Sequence, residues 1–187
     1  MSFLNTLHSG KNPPEDINVV IEIPKGSNIK YELDPTNGIL YLDRILSVEM
    51  VYPFNYGFIP NTLEKSDKLT TSKDNLDVFV IGIESLQPKS VVNCVPIGAI
   101  LTEDQDGLDS KIIARPSSKT DKLNNEFLND LEDINSHILK KLIHFIEHHK
   151  DLEDNKFVKI IEIAHKERAK RIVLEGIKNY EKHVKSL

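Results

Sequence analysis

Cysteine is almost missing from this chain, with Cys94 standing alone. That excludes a disulfide framework and a cysteine-based zinc site, and it suits a reducing compartment, so a cytoplasmic location is expected. Long apolar runs are missing too. No stretch approaches the roughly 18–20 residues needed to span a bilayer, so no membrane partner is expected. Met1 to Pro14 has no positive stretch followed by an apolar one, so no secretory signal is expected. The third absence is a basic surplus. Lys and Arg number 24 against 29 Asp and Glu, a net charge of −5, whereas a nucleic-acid binder carries a basic surface. A negative chain that takes an anionic ligand needs a cationic pocket or bound metal ions to invert the local field. Phosphate-cradling Gly-x-x-x-x-Gly-Lys-Ser/Thr, dinucleotide-type Gly-x-Gly-x-x-Gly and the nucleophile elbow Gly-x-Ser-x-Gly do not occur.

What is present is ordinary globular composition, 39% apolar and 28% charged over 187 residues, which suits one domain over 1–187. Residues 1–15, ending in Pro13 and Pro14, read as an extended N-terminal arm. From Ile17 to about Ala114 the chain reads as strands. Ile17 to Ile23, Ile29 to Leu33 and Ile39 to Leu46 are β-branched or apolar runs. The last two are joined by Asp34-Pro35-Thr36-Asn37-Gly38, a hairpin-type turn. Leu76 to Ile83, Ser90 to Leu101 and Lys111 to Ala114 follow, and Lys156 to Ile163 is a returning strand. Phe127, Leu131, Ile134, Ile138, Leu142 and Phe145 recur at helical spacing. Ala169, Ile172, Val173, Ile177, Tyr180 and Val184 do the same in a C-terminal helix over 164–187. Short strands separated by turns, then helices, predict an α+β fold: a barrel with two main helices packed outside it. Glu64 to Lys73 is polar and aperiodic and is expected to be an exposed loop.

Charged residues sit where apolar ones belong. Glu22 lies inside the first strand and Asp77 inside Leu76-Asp77-Val78-Phe79-Val80, positions that are costly unless the carboxylate is paired or metal-bound. Asp74 precedes Asp77 by three residues, and Asp104, Asp106 and Asp109 surround Gly107. Hard oxygen donors of this kind suit Mg²⁺ or Mn²⁺. Ordinary solvated turns are the alternative for the aspartates. Snorkelling surface side chains are the alternative for Lys30, Arg44, Lys111 and Lys150. The run Tyr52 to Pro60 is rich in aromatics; core packing accounts for Phe54 and Phe58, whereas a Tyr hydroxyl is a good phosphate donor. His144 and His148 stand four apart, but His-Phe-Ile-Glu-His is not the zinc pattern His-Glu-x-x-His, and an ordinary helix surface is the favoured reading.

In this order, Ile21 to Pro24, Ile29 to Glu32, Leu42 to Arg44, Tyr52 to Leu63, Asp74 to Val78, Glu103 to Lys111 and His144 to Glu153 resemble the family I (soluble) inorganic pyrophosphatases of the bacterial type, over about residues 16–160. The resemblance implies an OB-like five-stranded β-barrel flanked by two helices, a homo-oligomer that is hexameric in bacteria, and Mg²⁺ dependence, with Mn²⁺ as the other candidate metal. It implies an inorganic diphosphatase that hydrolyses pyrophosphate to two orthophosphates. Asp74 matches the carboxylate that takes the proton of the attacking water. Asp77, Asp109, Asp104 and Glu22 match metal ligands. Lys30, Arg44, Tyr56, Lys111 and Lys150 match groups that grip phosphate, and Glu32 and Tyr52 match second-tier positions. The family's central Asp-Gly-Asp-Pro-x-Asp reads Ser72-Lys73-Asp74-Asn75-Leu76-Asp77 here, so Ser72 replaces a metal-binding Asp, and the preceding loop is longer. Asp67 or Glu64 on that loop is a candidate substitute ligand. A weakly active or inactive relative that binds phosphate compounds is the alternative that Ser72 raises. His149 stands where the family has Tyr before Lys, and beside phosphate its protonated form is expected to be favoured. An OB-type nucleic-acid module is the remaining reading; negative charge and few exposed aromatics argue against it.

Overall fold

The computed structural model describes residues 6–64, 74–120 and 127–186. The strands are β1 (Ile17–Ile23), β2 (Ile29–Leu33), β3 (Leu40–Ile45), β4 (Asn55–Phe58), β5 (Asp77–Val80), β6 (Val91–Asp104), β7 (Gly107–Pro116) and β8 (Val158–His165). The helices are α1 (Ser136–His148) and α2 (Lys166–Lys185). Ser72, Lys73 and Asp67 lie outside the described residues. No described helix is long and apolar enough to cross a membrane.

Five strands pair in a ring. β1 pairs β4, β4 pairs β5, β5 pairs β7, β7 pairs β6, and β6 returns to β1. All of these pairings are antiparallel except β5 with β7, which is parallel. This ring is the expected OB-like arrangement; full pairing leaves few free backbone edges within it. β8 extends the sheet from β6, and β2 with β3 forms a separate hairpin. The hairpin packs on β1 through a small cluster of Val20, Leu33 and Phe58.

Ring strands are buried on both faces, and the two faces feed different cores. Val78, Val80, Ile112 and Ala114 join Ala169, Ile172 and Val173 of α2. The alternate residues Phe79 and Ile113 join Leu142, Phe145 and Ile146 of α1. Burial on both faces also explains why β4 shows no alternation: all four of its residues are buried, within the aromatic run.

Two expectations are corrected. The helix does not begin near Phe127, which is 84% exposed. Asp130 and Asp133 side chains instead cap a 3-10 turn at Leu131–Asp133, and Asn135 caps α1 by accepting a hydrogen bond from the His137 backbone N–H at 2.9 Å. Asp and Asn compete for backbone groups and favour caps over helix interiors, so they override the apolar period. The described part of the N-terminal arm, 6–15, is a series of turns tied to its neighbours. Ser9 Oγ donates to the Pro60 carbonyl at 2.8 Å, and Asn61 Nδ2 donates to the Leu7 carbonyl at 2.7 Å.

Candidate active site

Strand register assembles the charged residues. In the parallel pair Asp77 lies opposite Lys111, with Asp109 two residues earlier on the same face of β7. That is the face that carries Phe79 and Ile113 toward α1, so the aromatic core gives way to charge at the strand ends beside the C-terminus of α1. Lys111 Nζ lies 2.5 Å from both Asp77 Oδ2 and Asp109 Oδ2. Tyr56 on β4 donates its hydroxyl to the same Asp77 oxygen. Tyr52, Tyr56, Phe79 and Phe145 form a contiguous aromatic floor, with ring centroids 4.8–6.2 Å apart.

Around this centre opens a cavity of about 830 Å³, and every described candidate lines it: Glu22, Lys30, Glu32, Arg44, Tyr52, Tyr56, Asp74, Asp77, Asp104, Asp109, Lys111, His149 and Lys150. The hairpin supplies Lys30, whose ammonium reaches Glu32 at 2.6 Å and Asp43 at 3.3 Å. Arg44 Nε lies 3.1 Å from Glu153, which also holds Lys156 at 2.7 Å. Lys150, just past α1, reaches Asp104 at 2.9 Å. Glu153, Lys156 and Asp43 orient the phosphate-gripping candidates. Sequence reading missed the role of Glu153 because its partner Arg44 lies far away in the chain, on the hairpin.

Electrostatics divides the acids into two kinds. For Asp104, burial is outweighed by the Lys150 ammonium and by the N–H groups of Asp106 and Gly107, so its carboxyl sits below the usual range. Burial instead pushes Glu22 up to about 8, against the hydrogen bond it accepts from the Leu33 N–H at 2.7 Å. Burial also pushes Glu64 up to about 8, against the Ser110 hydroxyl that donates to it at 2.8 Å. Burial works against the charge of Lys111, yet Asp109 and Asp77 hold its pKa well above the usual lysine range. Burial raises Tyr56, so its hydroxyl stays protonated and acts as a donor.

Two expectations about single residues change. Glu64 belongs to the stretch expected to be an exposed loop, but its side chain is largely buried and lines the cavity. His149 is not set up to be protonated. Its Nδ1 lies 3.1 Å and 3.0 Å from the carbonyls of Phe145 and Ile146, and its ring stacks on Phe145. Both partners are acceptors, so Nδ1 carries the proton and Nε2 is an acceptor in the neutral ring. Burial, helped by the Lys150 charge, lowers its pKa to about 4.

The donor set is made of hard oxygens, and two of its carboxylates are buried without enough positive charge to keep them ionised. In kind, these residues fit a divalent cation. Among the described residues no three His, Cys, Asp or Glu groups converge on one point, and the Lys111 ammonium lies between Asp77 and Asp109.

Comparison with known proteins points one way. The family profile described as inorganic pyrophosphatase matches residues 19–181. The chain is 51% identical over 154 residues to the inorganic pyrophosphatase of Saccharolobus solfataricus, covering 82% of this chain and 86% of that one. It is 44% identical over 176 residues to the inorganic pyrophosphatase of Aquifex pyrophilus, covering 94% and 96%. Among solved structures, the inorganic pyrophosphatase of Helicobacter pylori superposes with a TM-score of 0.86 at 40% identity, covering 94% of this chain and 98% of that one.

Proposed function

The chain belongs to the inorganic pyrophosphatase family, and from that premise we propose how it hydrolyses inorganic pyrophosphate to two orthophosphates. The observation that carries the proposal is the single cavity in which Lys30, Arg44, Lys111 and Lys150 face Asp74, Asp77, Asp104, Asp109 and Glu22. Pyrophosphate is strongly anionic, and attack on it requires its charge to be offset. Lys30, Arg44, Lys111 and Lys150 bind and orient the phosphates, and the protonated Tyr56 hydroxyl donates to them. Asp77, Asp109, Asp104 and Glu22 would hold divalent metal, Mg²⁺ or Mn²⁺. The chemistry such ions supply when bound is Lewis-acid polarisation of phosphoryl oxygens and activation of water. Asp74, at the cavity rim, takes the proton of the attacking water. A bond forms from the water oxygen to one phosphorus while the bridging P–O bond breaks, and the bridging oxygen leaves on the second phosphate. Glu32 and Tyr52 position Lys30 and the aromatic floor.

A weakly active or inactive relative is not favoured, because the proteins it resembles at 51% and 44% identity are inorganic pyrophosphatases. A homo-oligomer, with hexamer as the expected size, finds support in edge strand β8, where Ile161 and Ile163 are exposed. A cytoplasmic location is in keeping with one buried, unpaired cysteine.

The test is phosphate release from pyrophosphate by the purified chain. Release is expected only with divalent metal present, and no release at saturating Mg²⁺ or Mn²⁺ would overturn the reading. In the same assay Asp74→Asn is expected to lower the rate by roughly 10²–10⁴-fold with little change in metal requirement. Asp77→Asn is expected to raise the metal concentration needed as well. Equal shifts in metal requirement would mean that the two roles are misassigned.

A further inference from the structure

Two cations that border the cavity share a partner that does not. Arg44 on β3 and Lys156, two residues before β8, both line the cavity, whereas Glu153 does not. Glu153 lies behind them, with only 10% of its side chain exposed, and divides its carboxylate between the two. Oε1 lies 3.1 Å from Arg44 Nε, and Oε2 lies 2.7 Å from Lys156 Nζ. The backbone sets this up. Past α1 the Glu153 N–H donates to the Lys150 carbonyl at 2.9 Å and the Lys156 N–H to the Glu153 carbonyl at 3.3 Å, so the connection is two successive turns. Asn155, inside the second, has φ +60, a conformation that Asn adopts more readily than most residues. These turns fold Lys156 back onto Glu153, while Lys150 reaches Asp104. Arg44 arrives from the hairpin, opposite Lys30 in the β2–β3 register. Glu153 thereby joins the hairpin to the α1–β8 connection.

Charge gives the arrangement a direction. Burial disfavours a charged Glu153, but Lys156, Arg44 and Lys150 hold its carboxyl below the usual range, so it is an anion. Neither Arg44 Nε nor Glu153 Oε1 has an aligned hydrogen bond among the described residues, so their contact is an ion pair. One anion between two cations leaves a positive surplus on the cavity side. The Lys156 ammonium carries three protons and gives one to Glu153, so donors remain for an anion in the cavity. The ordinary alternative is a surface Lys–Glu pair three residues apart, which does little. It does not account for a glutamate nine-tenths enclosed and shared with an arginine from a distant segment.

We propose that Lys156 is a further phosphate-binding residue, paired with Arg44 on one end of pyrophosphate, and that Glu153 is the positioning residue that holds the two cations side by side. The proposal rests on the pyrophosphate reading above and adds to it one cation and its support.

Binding of the uncleavable analogue methylenediphosphonate to the full chain with Mg²⁺, followed by titration calorimetry, tests it without turnover. Lys156→Met keeps the stem and removes the charge, and is expected to weaken the analogue by about tenfold or more, with KM for pyrophosphate rising more than kcat falls. Lys156→Arg should recover much of that loss. Glu153→Gln leaves one acceptor oxygen for two cations, and a weakening of roughly tenfold is expected. In the Lys156→Met background the same change should cost less, because one oxygen is enough for Arg44. Mn²⁺ affinity without the analogue should stay at the wild-type value in these variants. If Lys156→Met binds the analogue as wild type does, the proposal falls and the pyrophosphate reading stands. If Mn²⁺ and analogue affinities fall together, the role of these residues is structural and the proposal falls. Should Glu153→Gln fail to fold, the Lys156→Met result decides alone. If wild type does not bind the analogue, the pyrophosphate reading falls and takes the proposal with it.

Discussion

A histidine that borders a phosphate site is commonly credited with a positive charge, and the surroundings of His149 argue otherwise. Protonation would put a cation next to Lys150 and within the field of Lys111, in a largely buried place, and those effects together lower its pKa to about 4. The carbonyls of Phe145 and Ile146 accept a hydrogen bond from Nδ1–H whether or not Nε2 is protonated, so they fix the tautomer, and their pull toward the protonated ring is outweighed by burial and the Lys150 charge. Across the neutral range His149 therefore contributes no ionisation of its own. The His149→Tyr variant is expected to give a pH–rate profile, measured as kcat/KM from about pH 5.5 to 9, with the same apparent pKa values as the wild type. Loss or displacement of an ionisation limb in that range would show that His149 titrates during turnover. The residue scale is also where sequence reading reached furthest and stopped most abruptly. Glu22 and Asp77 stood out as carboxylates in apolar strands, and both line the cavity. Ser110 and Glu153 did not stand out, because each lies in a polar or mixed stretch and only the fold brings it to Glu64 or Arg44.

At the scale of elements, the site depends on β4 lying close against β1. Gly57 makes this possible: a Cβ built there would lie 1.8 Å from the Val20 carbonyl oxygen and 2.9 Å from the Ile21 Cα, both backbone atoms that cannot swing aside. Tyr56 and Phe58 flank Gly57, and Tyr56 carries the hydroxyl that reaches Asp77. Gly57→Ala must therefore separate two ring strands and withdraw Tyr56 from the site. A loss of at least about 3 kcal/mol is expected, or failure to fold, measured by urea denaturation. Gly26→Ala is the control. Gly26 has φ +88 but open space around its Cβ position, so only the conformational cost of about 1 kcal/mol is expected. A Gly57→Ala variant as stable as Gly26→Ala would mean that the β1–β4 contact is looser than described. The elements that sequence patterns revealed were those with a clear period and clean ends, such as β1, the β2–β3 hairpin and α2. β4 was hidden because all four of its residues are buried. The start of α1 was misplaced because capping by Asn135, Asp130 and Asp133 outweighed an apolar period that runs through Leu131 and Ile134.

For the molecule as a whole, the placement of buried charge makes stability depend on pH in a way that metal should reverse. Glu22 and Glu64 have folded pKa values of about 8 against a usual 4.5. Below pH 4.5 both are protonated whether the chain is folded or not, and they impose no penalty. Between about 4.5 and 8 the unfolded chain releases these protons while the folded chain keeps them, so stability falls as pH rises. At about 1.4 kcal/mol per pH unit, each group costs on the order of 5 kcal/mol by pH 8 before water entry and relaxation reduce it. His149 acts in the opposite sense, since its folded pKa of about 4 lies below the usual 6.5. Between 6.5 and 4 the unfolded chain gains a proton that the folded chain refuses, and stability falls as pH drops. The two glutamates outweigh the one histidine above pH 4.5, so the metal-free protein is expected to have its highest thermal midpoint between about pH 4 and 5 and to lose roughly 5–15 °C by pH 8. Glu22→Gln, which holds its charge at zero throughout, should shorten that alkaline decline. Saturating Mg²⁺ should abolish it, because the cation binds the ionised carboxylates of the folded chain and not the unfolded one. The measurement is a set of melts from pH 4 to 9 with chelator and with Mg²⁺. A metal-free midpoint that stays level or climbs from pH 6 to 8 would mean that Glu22 and Glu64 are already ionised in the folded chain. The cavity would then need no divalent cation to balance them.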